Sequence, residues 1–119
     1  MPKNDFVEYV MKDLLSGVRG VTSRAMFGGH GIYKDGTIFG IVVDDELYFK
    51  VDETNRKKYE AAGSKPFTYD TKKRKKIVMS YWEVPPDILE DREEIARWAE
   101  ESCRISRRSR TSPRKSWQS

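Results

Sequence analysis

Polar and apolar residues follow two periods along this chain. After Asp5, a residue able to cap a helix, the apolar positions Phe6, Val7, Val10, Met11, Leu14 and Leu15 recur at helical spacing, and Gly17 is placed to end the segment. An amphipathic helix with one buried face is predicted. Residues 21–27 then read as a strand that runs into Gly28-Gly29-His30-Gly31, and Ile32-Tyr33 and residues 38–43 flank Lys34-Asp35-Gly36-Thr37. Asp-Gly can supply the positive φ values of a type I′ hairpin turn, so Asp35 and Gly36 mark a reversal. Gly28, Gly29 and Gly31, which admit positive φ and close backbone approach, are read as a structural hinge: a sharp bend or bulge in a sheet.

Asp44-Asp45-Glu46 interrupts the apolar run, and residues 47–51 alternate strictly, placing Leu47, Phe49 and Val51 on one face of a further strand. Residues 52–62 form a short helix pattern ending at Gly63, with Tyr59 and Ala62 able to touch the core. Pro66 stops it, and Phe67-Thr68-Tyr69 begins a strand that pairs with residues 77–82 across a basic tip. Val84-Pro85-Pro86 ends that hairpin. A last helix begins near Asp87 or Asp91, where Asp91 and Glu94 have capping-box spacing and Ile95, Trp98, Ala99, Ser102 and Ile105 share one face.

The order is helix, three strands, helix, two strands, helix, without βαβ alternation. That predicts a two-layer α+β fold in which an antiparallel sheet of about five strands carries helices mainly on one face. Residues 1–105 are expected to form the domain. Residues 106–119 form a basic arginine-serine tail whose composition cannot bury enough apolar area to offset ordering, so it is expected to be mobile.

The 119 residues, 37% hydrophobic and 12% aromatic, suit one domain with a modest core. The single cysteine, Cys103, excludes an intrachain disulfide and a cysteine-rich metal site and agrees with a cytoplasmic setting, and no apolar run is long enough for a membrane span. The formal net charge of +4 changes meaning when it is located. Arg104, Arg107, Arg108, Arg110, Arg114 and Lys115 stand in the last segment with no acid, which leaves −2 for the rest.

Several motifs together resemble the N-terminal domain of the TfoX/Sxy family, whose full-length members regulate bacterial competence. They are Arg24-Ala25-Met26-Phe27-Gly28-Gly29-His30-Gly31-Ile32-Tyr33, Asp35-Gly36, Asp44-Asp45-Glu46-Leu47-Tyr48-Phe49-Lys50-Val51, Ala61-Ala62-Gly63-Ser64-Lys65-Pro66-Phe67-Thr68-Tyr69, Ser80-Tyr81-Trp82-Glu83-Val84-Pro85 and Trp98-Ala99. The resemblance covers roughly residues 5–105 and implies an α+β accessory protein in transcription, acting in Sxy proteins alongside the cyclic-AMP receptor protein. It brings no catalytic residue and no cofactor. An arginine-serine segment stands here where the full-length regulators have a second domain.

Candidate chemistry is sparse. Gly28-Gly29-His30-Gly31 leads into a strand, whereas phosphate-binding glycine loops open a helix. His30 lacks the partners of a general base or metal ligand, and Asp44, Asp45 and Glu46 lack the spacing of a calcium loop. Cys103 reads as a packing residue. The tip Lys72, Lys73, Arg74, Lys75 and Lys76 must be solvated to tolerate its own repulsion, and with Arg107, Arg108, Arg110, Arg114 and Lys115 it is the candidate contact for nucleic acid or another polyanion. Tyr69, Tyr81 and Trp82 flank it as candidate stacking rings. Trp117 offers a point around which the tail can order on a partner, and Ser112-Pro113 permits phosphorylation.

The reading is therefore a non-enzymatic interaction domain in bacterial transcriptional regulation with a protein partner. A nucleic-acid binder using the tip and tail is the first alternative, and an enzyme of unknown substrate is the second. An exposed edge strand would also allow a homodimer.

Overall fold

Tight reversals turn the middle of the chain into a meander. The computed structural model describes residues 5–26 and 28–111. Strands β1 (Val21–Met26), β2 (Gly29–Lys34), β3 (Thr37–Val43) and β4 (Glu46–Lys50) follow one another, with Met26 paired to Gly29, Lys34 to Thr37 and Val43 to Glu46. Asp35 and Gly36 have φ of 51° and 84°, and Asp44 and Asp45 have φ of 52° and 61°. Positive φ at both central residues matches the right-handed twist of the flanking strands, and aspartate is among the few non-glycine residues that tolerate it.

Strands β5 (Pro66–Asp70) and β6 (Lys75–Glu83) form a second hairpin, and β6 rather than β5 pairs with β4. The antiparallel sheet therefore runs β1-β2-β3-β4-β6-β5. It has six strands, one more than the hydrophobic pattern predicts, because the chain reverses fully at the glycines instead of bending within a strand. Gly28 has φ of 78°, and a Cβ on Gly29 would lie 2.3 Å from the Val42 carbonyl oxygen. A register shift opposite Ile32 and Tyr33 leaves Phe39 as an extra residue on β3, fully buried.

All the described helices lie on one face. Helix α1 (Asp5–Tyr9) widens into a π-helical turn over Val10–Leu14, in which the Leu15 amide donates to the Val10 carbonyl at 2.9 Å. Helix α2 (Arg56–Ala61) starts later than the pattern predicts. Residues 52–55 are instead a side-chain-bonded turn: Asp52 Oδ1 accepts from the Thr54 amide at 2.8 Å, and Asn55 Oδ1 accepts from the Asp52 amide at 2.9 Å. The helix closes in a Schellman arrangement at Gly63, with the Ser64 amide bonded to the Tyr59 carbonyl. Tyr59 is fully buried as expected, but Ala62 is exposed.

The last helical region is split. Helix α3 (Pro86–Leu89) carries Asp87 in its first turn, and α4 (Arg92–Thr111) begins after Asp91, whose Oδ1 accepts from the amides of Glu93 and Glu94 at 3.1 Å each. Glu94 pairs with Arg97 instead of completing a capping box. The backbone is helical through Thr111, since each residue added to a formed helix gains a hydrogen bond.

Val7, Val10, Leu14 and Leu15 from the first helical segment and Ile95, Trp98, Ala99 and Cys103 from α4 cover Ile32, Phe39, Val42, Leu47, Phe49, Val51 and Trp82 of the sheet. Ser102 Oγ, buried, donates to the Lys50 carbonyl at 2.8 Å and joins α4 to β4. Asn55, 2% exposed, also donates to that carbonyl, at 3.4 Å. Asn55→Ala leaves the part-buried Asp52 amide and part of the Lys50 carbonyl unpaired, so a loss of about 1–3 kcal/mol is expected. An unchanged urea midpoint would show that these bonds contribute nothing.

Candidate interaction face

Register places a second set of side chains on the face that the helices leave uncovered. Because direct cross-strand partners point the same way, Arg24, Gly31, Ile41, Tyr48 and Glu83 form one row across five strands, and Met26, Gly29, Val43 and Glu46 form the next. Tyr33 and Ile38 stand in a third row, with Lys50 and Tyr81 beyond them. A Cβ on Gly31 would meet Met26 Sδ at 2.9 Å and the Tyr33 ring at 3.0 Å. Its absence lets those two side chains close over the sheet.

Rings and cations are interleaved on this face. The Arg24 guanidinium lies 5.3 Å from the Tyr33 ring centroid, and Lys50 Nζ lies 5.3 Å from that of Tyr81. Tyr48 packs edge-on against Phe67 at 4.9 Å, and Phe67 stacks with Tyr69, which is 47% exposed. Ile38, Ile41 and Val43 fill the middle and are only half-buried. An antiparallel sheet open to water on one side normally alternates to polar residues there.

The two ends of the face differ in charge. Asp44, Asp45, Glu46 and Glu83 gather where β3 turns into β4. Burial, then Glu83, then Asp45 raise the Glu46 carboxyl above its usual range, and burial with Glu83, Glu46 and Asp44 raises the Tyr48 phenol. β6 runs from Lys75, beside the basic tip, to Glu83, so the cations stand at the opposite end. Thr71 holds the tip together: its Oγ1 donates to the Arg74 carbonyl at 2.7 Å and accepts from the Arg74 amide at 3.1 Å. Lys72, Lys73, Arg74 and Lys76 line a shallow hollow with Thr71, and Lys75 is exposed at the start of β6.

The other expected contacts come from the last helix and the segment beyond it. Arg107 and Arg108 lie on α4, with Arg108 Nη2 3.2 Å from Asp52 Oδ2, and Arg110 is in the backbone of the same helix. Arg114, Lys115, Ser112-Pro113 and Trp117 lie outside the described residues. Trp82 is unsuited to stacking on a ligand, being 4% exposed and donating through Nε1 to the Met79 carbonyl at 2.9 Å. Its cross-strand partner is Phe49, which turns it into the core. Tyr81 is half-buried beneath Lys50. The sequence reading missed the open face as a unit, although Tyr33, Ile38, Ile41, Val43 and Tyr48 occupy the positions alternate to the core set.

His30 sits on β2 between Ala25 and Val42, neither of which can act as its proton partner. Cys103 is fully buried, and burial, then Glu100, push its thiol up to about 12. That is the opposite of what a nucleophilic cysteine requires. Among the described residues no group of three or more His, Cys, Asp or Glu is placed to hold a metal ion, and no helix is long and apolar enough to cross a membrane.

A family model described as the TfoX N-terminal domain matches residues 13–105. No curated protein matches the chain.

Proposed function

This chain belongs to the TfoX N-terminal domain family, and we propose that it is a non-enzymatic interaction domain that works in bacterial transcriptional regulation through contacts with protein. The observation that carries this reading is the uncovered sheet face, whose half-buried Ile38, Ile41 and Val43 lie among aromatic rings. Contiguous apolar surface of this kind is what protein interfaces use. The lone cysteine suits action in the cytoplasm.

A second reading, contact with nucleic acid, is favoured by the hollow lined by Lys72, Lys73, Arg74 and Lys76. Such contact would be salt-dependent. The acidic corner at Glu46 and Glu83 opposes a polyanion laid along the whole face, so this reading is confined to the tip.

One experiment separates the two. The full chain is titrated with the purified cyclic-AMP receptor protein, with cytosolic fractions and with short duplex DNA at two salt concentrations. Ile41→Glu is expected to weaken a protein partner by about tenfold or more, equivalent to about 1.4 kcal/mol, while Lys72→Gln/Lys73→Gln/Arg74→Gln leaves it unchanged. DNA binding that the second variant abolishes and the first spares would replace the protein reading.

A further inference from the structure

We infer that the uncovered sheet face is occupied by a second copy of this chain, so that the domain works as a face-to-face homodimer. This rests on reading the face as a protein contact surface. The argument for self-recognition is the distribution of charge. The face is acidic at the turn between β3 and β4 (Asp44, Asp45, Glu46, with Glu83 alongside), carries half-buried Ile38, Ile41 and Phe67 in the middle with Arg24 and Lys50 stacked on rings beside them, and is basic at the hairpin tip (Lys72, Lys73, Arg74, Lys76).

A two-fold axis lying in the face and across the strands would bring two such faces together with their ends exchanged. The acidic end of each copy then meets the basic tip of the other, and the apolar centres meet each other. This is the self-complementary pattern that an isologous interface requires. The alternative two-fold, along the strands, sets like charges together.

The dimensions agree. Six strands about 4.8 Å apart and about five residues long give a plan area of roughly 400 Å². Side-chain relief and the two charged ends raise the accessible area toward the ~800 Å² per partner of a stable interface. Two sheets meeting this way pack about 10 Å apart with strands nearly aligned. The aliphatic centre suits such packing better than it suits bases, which stack on rings.

Sedimentation equilibrium on the full chain tests this without depending on one variant. A dimer is expected, weakened at least tenfold by Ile41→Glu. Two charge-reversed variants, whose substitutions lie at the acidic turn and the exposed tip, keep the test valid if Ile41→Glu fails to fold. Glu46→Lys/Glu83→Lys and Lys72→Glu/Lys73→Glu/Arg74→Glu should each be weaker dimers alone by about tenfold, and an equimolar mixture should recover association as a heterodimer.

A chain that stays monomeric to about 1 mM, the limit of weak association, overturns the proposal. So does a dimer that both reversals leave intact, which would place the contact away from this face, or one that the mixture fails to restore. A monomer that still loses a different protein partner on Ile41→Glu would overturn the dimer and leave the protein-contact reading standing.

Discussion

Phe49→Ala will lower the stability of the domain by about 3–5 kcal/mol, the range for truncating a fully buried phenylalanine. Phe49 is 0% exposed, its ring lies 5.6 Å from that of Phe39, and it pairs across the sheet with Trp82 and Gly40. A Cβ on Gly40 would already be 3.1 Å from the Phe49 ring, so that ring occupies the space the glycine leaves. Alanine would strand the Phe39 ring, the Trp82 indole and the bare Gly40 backbone around one void, and closing it would require both hairpins to move. Domains of this size have about 5–15 kcal/mol in total, so the loss removes much of the margin. Chemical denaturation of the variant measures it. A loss under about 1 kcal/mol would mean that the sheet collapses onto the gap, contrary to the packing described here.

The second large effect is alkaline unfolding. Burial raises the Tyr59 phenol, and Glu101 adds to it. Burial and the neighbouring Tyr33 push Tyr81 up to about 12 from an ordinary 10.0, and the Cys103 thiol is pushed up to about 12 from 9.0. All three are acids whose neutral form the folded state favours. Below their ordinary values both states hold the proton and pH has no effect through them. Above those values the unfolded chain releases protons that the folded chain keeps, so stability falls as pH rises from about 9–10 toward 12. Each group contributes a slope of up to about 1.4 kcal/mol per pH unit.

Tyr81 and Cys103 together are expected to withdraw several kcal/mol across that window, comparable with the whole stability of a small domain. Tyr59→Phe should flatten the dependence, because it removes the buried hydroxyl beside Ser102 that only the unfolded chain would readily ionise. The Cys103 thiol should resist alkylation in the folded protein and react once the transition is passed. Tyrosine absorbance followed with stability through the same range checks the cause. Ionisation of all the tyrosines near pH 10 with no loss of fold would refute it.

Local pattern carried much of the core into view. Leu47, Phe49 and Val51 share the buried face as their alternation requires, and Ile95, Trp98, Ala99, Ser102 and Ile105 line the inner side of α4. Where expectation and structure part, side chains or long-range pairing decide. Asp52 and Asn55 bond to nearby backbone and delay α2, and Ala62 falls beyond the last buried turn. Trp82 reads as a ring beside a basic loop, yet its partner across the sheet is Phe49, a residue far from it in sequence.

The amino-acid sequence by itself determined the elements, their order, the α+β class and the basic tip, because periods of two and 3.6, turn residues and like-charge repulsion act within a few residues of one another. Only the tertiary structure decided that β6 lies beside β4, and with it that Glu83 joins Glu46, that Tyr81 meets Lys50 and that the described helices leave one partly apolar face of the sheet uncovered. Those neighbours are set by register between strands distant in the chain, and shifting a strand by one residue would turn all of its side chains to the other side.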